Sequence, residues 1–495
     1  MALLFFSLLM LRFYTGKSIN SNLFPPVMGT IYHQLFYFHD LYDKHTQMLR
    51  RNPTYRLLNV ANSEVYTADP RNVEHFLKTA FHTYSKGEYN CRPIRDLFGY
   101  GIFAVDGDEW LQQRKMASTM LSGKIMKLFS CHVFQGNTAR MVEIISGFVD
   151  ANRAFDIQDL FSKCTLDSIF KIGVGLDYNF LEGANKEAHE FIRAFDEASE
   201  LVIWREVDFF WGVKRFLNVG SEAVLRRNIQ VIDKFVYEIV EKKREQTAAD
   251  QCTHTEREDI LSLCLAEGDM TDRYLRDIVL SLVIAGRDTT ATTLSWFIYM
   301  MCKNPLIQEK IAQQVIRETM DGGDDGNVQD FVGRISDSTL EKMHYLHASL
   351  TETLRLYPSL PMTGKCADRD DVLPDGYRVK KGDGIYYVAY AMGRMPNLWG
   401  DDAEEFRPER WLRNGAFQPE SPFKFISFHA GPRMCLGKDF AYRQMKMIAM
   451  VLLRFFVFRL ENEKKQVKYR ITFNLQIDGD LRRCVDGMEM ITLKI

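Results

Sequence analysis

Apolar residues recur at three-to-four spacing along most of the chain. This pattern predicts helices near 32–50, 71–79, 107–121, 135–150, 157–172, 185–201, 220–245, 272–303, 305–318, 338–356 and 438–453. Alternation and a higher Val, Ile and Tyr content predict strands near 54–67, at 377–390 and from 455 to the end. The expected class is mainly α with a small β portion. A chain of 495 residues could hold about three domains at about 150 residues each. No Ser/Gly/Pro linker divides it, so a single large domain over 27–495 is expected.

One helix stands apart. In 272–303 the runs Ile278-Val279-Leu280 and Leu282-Val283-Ile284 are apolar all round, the mark of a buried helix. At ~1.5 Å per residue it would run about 46 Å and cross the whole molecule, and Asn304-Pro305 ends it. Its centre reads Ala285-Gly286-Arg287-Asp288-Thr289-Thr290. A mid-helix glycine costs about 1 kcal/mol, and a buried acid costs more unless paired. Either a kink closed by a salt bridge or a functional groove would account for these costs.

Ala2 to Leu11 is almost wholly apolar before Arg12 and Lys17 interrupt it. A spanning helix needs about 20 apolar residues. Residues 1–26 are therefore read as a short anchor, or the remnant of one, with Pro25-Pro26 as a stiff joint. Nine scattered cysteines without a CxxC pair fit a reducing compartment. A net charge of −2 and a pI near 6.6 argue against a nucleic-acid partner. Three weaker motifs carry no chemistry. The acidic run Asp321 to Asp330 lacks the spacing of a calcium loop. Gly173-Val174-Gly175 lacks the third glycine of a dinucleotide site. His344 and His347 have no third metal ligand.

Phe428-His429-Ala430-Gly431-Pro432-Arg433-Met434-Cys435-Leu436-Gly437 has the form FxxGxRxCxG. Glycine at 431 permits a turn with positive φ, and glycine at 437 lets the following helix lie close to a flat ligand. A thiolate at 435 would sit at a helix N-terminus, which stabilises it. Phe428 would shield the sulfur, and Arg433 could pair with a carboxylate. Upstream, Glu352 and Arg355 share a helix face, and Phe406-Arg407-Pro408-Glu409-Arg410-Trp411 follows. Trp110 and Arg114 lie one turn apart, and Lys365 follows Leu360-Pro361-Met362.

In this order, the four elements resemble those of the cytochrome P-450 superfamily. The resemblance covers roughly 50–480 and implies the prism-shaped fold around haem b, with Cys435 as the axial ligand of the iron. It further implies that Trp110, Arg114, Lys365 and Arg433 serve the haem propionates. Gly286 would leave room over the iron, while Thr289 and Asp288 handle O2 and protons. Glu352, Arg355 and Arg410 would form a structural ion network. Electrons would come from NADPH through a cytochrome reductase, with Lys115, Lys124, Lys438 and Arg443 as candidate docking charges. A membrane surface is implied, at the cytosolic face of the endoplasmic reticulum.

AGRDTT, AGPRMCLG and the stretch RLLNVANSEVYTADPRNVEHFLKT resemble plant long-chain fatty-acid ω-hydroxylases. A terminal methyl would need a narrow channel, with Phe98, Ile102, Phe103, Phe209, Phe210 and Trp211 as candidate walls. Ile284, Ala285, Leu360 and Met362 would face the iron, and Arg92, Arg95 or Lys86 would meet the carboxylate. Two alternatives stay open: the same chemistry on an alkane, sterol or other plant metabolite, and a non-catalytic haem carrier or sensor.

Overall fold

The computed structural model describes residues 22–492 apart from 60–61, 123, 152, 154, 184–185, 251–258, 267, 269, 320–326, 461–466 and 480–490. The apolar run of residues 2–11, and with it the anchor of 1–26 up to residue 21, lies outside the described residues. So does most of the acidic stretch after Asp321, although Asn327 caps the helix Val328–Arg334 by accepting from Gln329 N.

The central helix is the axis of the fold. It runs as Asp272–Val283, one π turn at Ile284–Asp288, and Thr289–Lys303, of which 290–302 are buried throughout. Ile157–Val174, Ser221–Asp250, His344–Leu356 and Lys438–Phe455 pack around it. The apolar reading of 272–303 is thus matched by full enclosure over 290–302, while Asp272, Arg273 and Ala285 keep exposed surface. The π turn falls on the AGRD sequence, where one extra residue widens the helix, a distortion frequent at functional sites.

Other predicted helices form with altered boundaries. The run 32–50 divides into a 3-10 segment Ile31–Asp40, itself kinked at Tyr37, and the helix Leu41–Arg51, with Asp40 outside helical geometry at the junction. Residues 338–356 divide at Met343. The helix Gly87–Phe98 is not apparent in the pattern because Pro93 interrupts it.

A six-stranded sheet forms the second, smaller part. Its spatial order is Val27–Thr30, Thr54–Leu58, Ser63–Thr67, Gly384–Tyr387, Thr363–Ala367, Tyr84–Ser85. The predicted strand 54–67 is an antiparallel hairpin, Tyr55 opposite Tyr66. Ser63–Thr67 then pairs in parallel with Gly384–Tyr387, and Lys365 lies opposite Ile385. Tyr55, Tyr66 and Tyr386 stack across these strands at 5.3 and 5.1 Å.

The ion network of the sequence reading is present. Arg355 donates through Nε and Nη2 to both oxygens of Glu352, at 2.7 and 2.8 Å. Its remaining N–H groups reach the carbonyls of Gly393, Ala403 and Glu405. Arg410 Nε and Trp411 Nε1 also donate to Glu352, each at 2.8 Å. Both Glu352 and Arg355 are buried, so their mutual neutralisation is a condition of folding. The network ties His344–Leu356 to the loops that lead into the cysteine segment.

Candidate active site

The cysteine loop is shaped by two residues with positive φ. His429 adopts φ 59° and Gly431 φ 66°. A Cβ on Gly431 would lie 2.2 Å from Leu77 O, so only glycine fits. Cys435 N donates to Phe428 O at 2.8 Å and closes the loop. The chain then enters the helix Lys438–Phe455 with Gly437 as its cap. Phe428 packs 5.2 Å from Tyr442, at the base of the loop.

Cys435 lies deep among protein atoms, yet its own surface is open. Burial pushes its thiol up, while the Gly437 N–H and the charges of Arg114 and Lys438 pull it down. These groups are suited to a thiolate that a metal has stabilised, since only the ionised sulfur is a ligand. A Cβ on Gly437 would meet nothing nearer than Cys435 Sγ, at 4.0 Å.

Cations gather beside this loop. Arg433 lies over the Trp110 ring at 4.5 Å and donates to Asp106 at 2.6 Å. Arg114 stands over the same ring at 5.8 Å and donates to Met434 O at 2.7 Å. Lys365 is 1% exposed, and its Nζ has no hydrogen-bond partner among the described residues. Burial, with Arg433 and Lys86 nearby, pulls its ammonium down to about 6. Lys86 is lowered to about 8 by burial and by Arg433. The Lys86 of the sequence reading, a candidate for a substrate carboxylate, is therefore one of this group. Arg95 is held by Glu88 at 2.8 and 2.9 Å, and Arg92 stacks on Trp211 at 5.1 Å.

The central helix carries Asp288 in its π turn and Thr289 directly after it. Thr289 Oγ1 donates to Ala285 O at 2.6 Å, and Ser359 Oγ donates to Thr289 O at 2.9 Å. Ala285 and Leu360 keep open surface within otherwise buried stretches. Asp288 is buried. Burial raises its carboxyl to about 6 even though Arg287 pulls it down. The contact that requires glycine at 286 is to the neighbouring helix, where a Cβ would lie 2.6 Å from Ile169 Cδ1. Phe98 and Phe103 form an apolar wall with Phe473, whose ring lies 4.6 Å from Phe98. Nothing in the sequence pattern singles out Phe473, which lies in an irregular turn.

These residues fit an iron porphyrin. An apolar wall, one open thiol at a helix start and an orphaned buried ammonium with two arginines match the donor set of a flat dianion with a metal centre. Lys365 carries the strongest part of that fit: its buried Nζ lies over the Phe81 ring at 5.2 Å with no acceptor among the described residues, and burial disfavours its charged form until an acceptor is supplied.

Other sequence candidates resolve simply. His347 stacks on Tyr442 at 4.2 Å and is held neutral, with a pKa lowered by burial to about 3. No cluster of three metal-ligating side chains occurs among the described residues. Gly175 ends the helix Ile157–Val174 in the left-handed region, at φ 74°. Arg443 is paired with Asp337 at 2.9 Å, and Lys115 is exposed. The side chain of Lys124 lies outside the described residues.

The family model described as Cytochrome P450 matches residues 24–477. Cytochrome P450 704C1 of Pinus taeda is 46% identical over 474 residues, covering 93% of this chain and 91% of its own length. Cytochrome P450 704B1 of Arabidopsis thaliana is 41% identical over 92% of this chain and 93% of its own. Cytochrome P450 86B1 of the same plant is 38% identical, over 86% of this chain and 77% of its own.

Proposed function

The chain belongs to the cytochrome P450 family, the haem-thiolate monooxygenases, and from that premise we propose that it hydroxylates a long-chain fatty acid at its terminal carbon. Electrons would come from NADPH through a reductase at a membrane surface. The observation that carries the chemistry is the meeting of Cys435 with Lys365, Arg114, Arg433 and Trp110 on one side and Asp288 with Thr289 on the other.

When bound, haem would supply the activation of O2 for insertion of one oxygen atom into a C–H bond, and the Cys435 thiolate would hold its iron. Cys435 offers its sulfur from a helix start that favours the anion. Lys365, Arg114 and Arg433 would hold the two propionates and neutralise their charge. Thr289 gives its own proton to Ala285 O, which leaves its oxygen lone pairs to accept from water or substrate-side donors. Asp288, with a pKa near 6, can both hold and release a proton near neutral pH. A carrier or sensor would need no such acid–hydroxyl pair.

The substrate reading rests on the resemblance to plant fatty-acid ω-hydroxylases and on the aromatic wall of Phe98, Phe103 and Phe473, which suits a slender alkyl chain. The same wall would also take another lipophilic substrate. The membrane reading rests on a surface patch. Phe36 and Phe216 are 85% and 88% exposed, with Leu35, Val213 and Leu217 also exposed. Tyr32 touches Phe209 at 5.7 Å and Phe38 touches Trp204 at 5.4 Å, which join the two segments into one face. Such a cluster of exposed aromatics suits an acyl interface. Among the described residues no helix is long and apolar enough to cross a membrane.

Reconstitution with a reductase and NADPH, followed by a panel of saturated and unsaturated fatty acids, tests the proposal. NADPH-dependent product with a terminal hydroxyl is expected. In-chain product alone, or none from any chain length, would overturn it. Thr289→Ala should raise hydrogen peroxide release relative to product.

A further inference from the structure

A polar cavity of about 150 Å³ reaches Asp288 from the side of the helix Ile157–Val174. Its lining includes Asp159, Ser162, Lys163, Asp196, Arg287 and Asp288. A smaller space beside it is bounded by Asp196, Asp288, Arg470 and Asn474. The larger cavity has room for several waters and offers them many polar partners.

Arg287 stands between two acids on the wall of this cavity. Its Nη1 and Nη2 donate to Asp196 at 2.5 and 3.2 Å, whereas the nearest Asp288 oxygen lies 3.4 Å from Nη1. Arg287 is 5% exposed, and its Nε has no hydrogen-bond partner among the described residues. The fork is thus turned toward Asp196, and Asp288 keeps only its loose edge. A guanidinium does not lose its proton. The environment of Asp288 therefore depends on where that fork points.

We propose that Asp196 is a positioning residue for proton entry: by holding Arg287 at the cavity wall, it leaves Asp288 free to take up a proton from cavity water and pass it toward Thr289. This rests on the reading of Asp288 as the proton relay. The step is a pure proton transfer. Water gives a proton to the Asp288 carboxylate, solvent neutralises the hydroxide through the cavity, and Asp288 returns to carboxylate when it passes the proton inward.

Charged groups from every packed element face Asp288. Arg287 lies on its own helix, and Asp196 and Glu200 lie on Lys186–Trp204. Asp156, Asp159 and Lys163 belong to the neighbouring helix or its cap, and Arg470 to the strand Tyr469–Ile471. In Asp196→Asn the fork loses its main acceptor and turns to Asp288, so Asp288 should protonate at lower pH. In Arg287→Gln the cation is gone, and Asp288 should protonate at higher pH. A merely structural disturbance has no reason to give opposite signs.

The test uses the full-length protein, with and without haem. Infrared spectroscopy follows the carboxyl C=O band that Asp288→Asn removes, from about pH 4 to about 9. Asp196→Asn should lower the midpoint by about one pH unit, tenfold in proton affinity. It should also lower product per NADPH while the substrate-binding spectrum stays unchanged, and Asp196→Glu should restore both readouts. Arg287→Gln should raise the midpoint. A midpoint in Asp196→Asn that is unchanged or raised overturns the proposal. Should Asp196→Asn fail to fold, an Arg287→Gln midpoint that falls or stays put overturns it equally. If Asp288→Asn itself leaves coupling intact, the relay reading fails. If Asp288→Asn uncouples but Asp196→Asn does not, only the positioning role fails.

Discussion

Replacing Glu352 by glutamine removes the single charge on which two buried arginines converge. The carboxylate accepts five hydrogen bonds: two from Arg355 and one each from Arg410 Nε, Trp411 Nε1 and Arg407 N. Glutamine keeps one oxygen and turns an NH2 group toward the other donors. Breaking a buried ion pair costs about 3–5 kcal/mol, and a stranded donor adds about 1–3 kcal/mol. The first figure already contains part of the second, so a loss of about 4–6 kcal/mol is expected, against a total stability of about 5–15 kcal/mol for a typical domain. Urea unfolding followed by tryptophan fluorescence is a direct assay, because Trp399 and Trp411 sit in the network. With a slope of about 3 kcal/mol per molar, the midpoint should fall by about 1–2 M. Arg50→Ala, which breaks the half-exposed pair with Glu404, serves as the comparison and should cost no more than about 1 kcal/mol. A Glu352→Gln midpoint within about 0.3 M of the parent would refute the argument that this carboxylate holds the two cations.

Four further outcomes are expected. Cys435→Ser should abolish the thiolate-type carbon-monoxide spectrum of the reduced protein, while far-ultraviolet circular dichroism stays near the parent. Lys365 has its folded pKa depressed to about 6, from an ordinary value of 10.5, by burial and by Arg433 and Lys86. The unfolded chain therefore binds more protons between those values, and the protein without haem should gain stability as pH rises through that window. A bound propionate would restore the ammonium, so haem retention should weaken as pH rises above about 6 and lose that dependence in Lys365→Met, measured by haem transfer to an acceptor protein. Phe36→Ser with Phe216→Ser should reduce sedimentation with phosphatidylcholine vesicles several-fold without changing the thermal midpoint; equal binding would remove the patch as a membrane contact.

The parts of the site legible in the sequence are those where chemistry demands a side chain at a fixed spacing. Cys435, Gly431, Trp110 and Arg114, and the trio Glu352, Arg355 and Arg410, all belong to this class, and the structure gathers them as two clusters. Backbone partners left no trace: three of the five Arg355 hydrogen bonds end on carbonyls, which any residue could supply. Asp196 was equally silent, since an aspartate on an amphipathic helix reads as solvated surface until Arg287 is found 91 positions away. The glycine at 286 is read from the sequence as leaving room over the iron, whereas the close approach the structure shows at that position is to the Ile169 side chain. Helix existence followed from periodicity, whereas the backbone breaks at Tyr37 and Met343 leave no mark in the apolar spacing. The strand Thr363–Ala367 lacks alternation and is set by its neighbours on either side.

The sheet order has a consequence for how the chain is made. The hairpin of Thr54–Leu58 and Ser63–Thr67 leaves the ribosome early, yet its other neighbour, Gly384–Tyr387, is translated only after most of the chain has emerged. Through that interval Ser63–Thr67 presents a row of unpaired amides and carbonyls, the arrangement that invites pairing with another nascent chain. Its tyrosine stack has no third ring until Tyr386 arrives. Recombinant yield should therefore respond to chaperone supply and to slower translation, and the aggregates formed without them should involve the N-terminal hairpin.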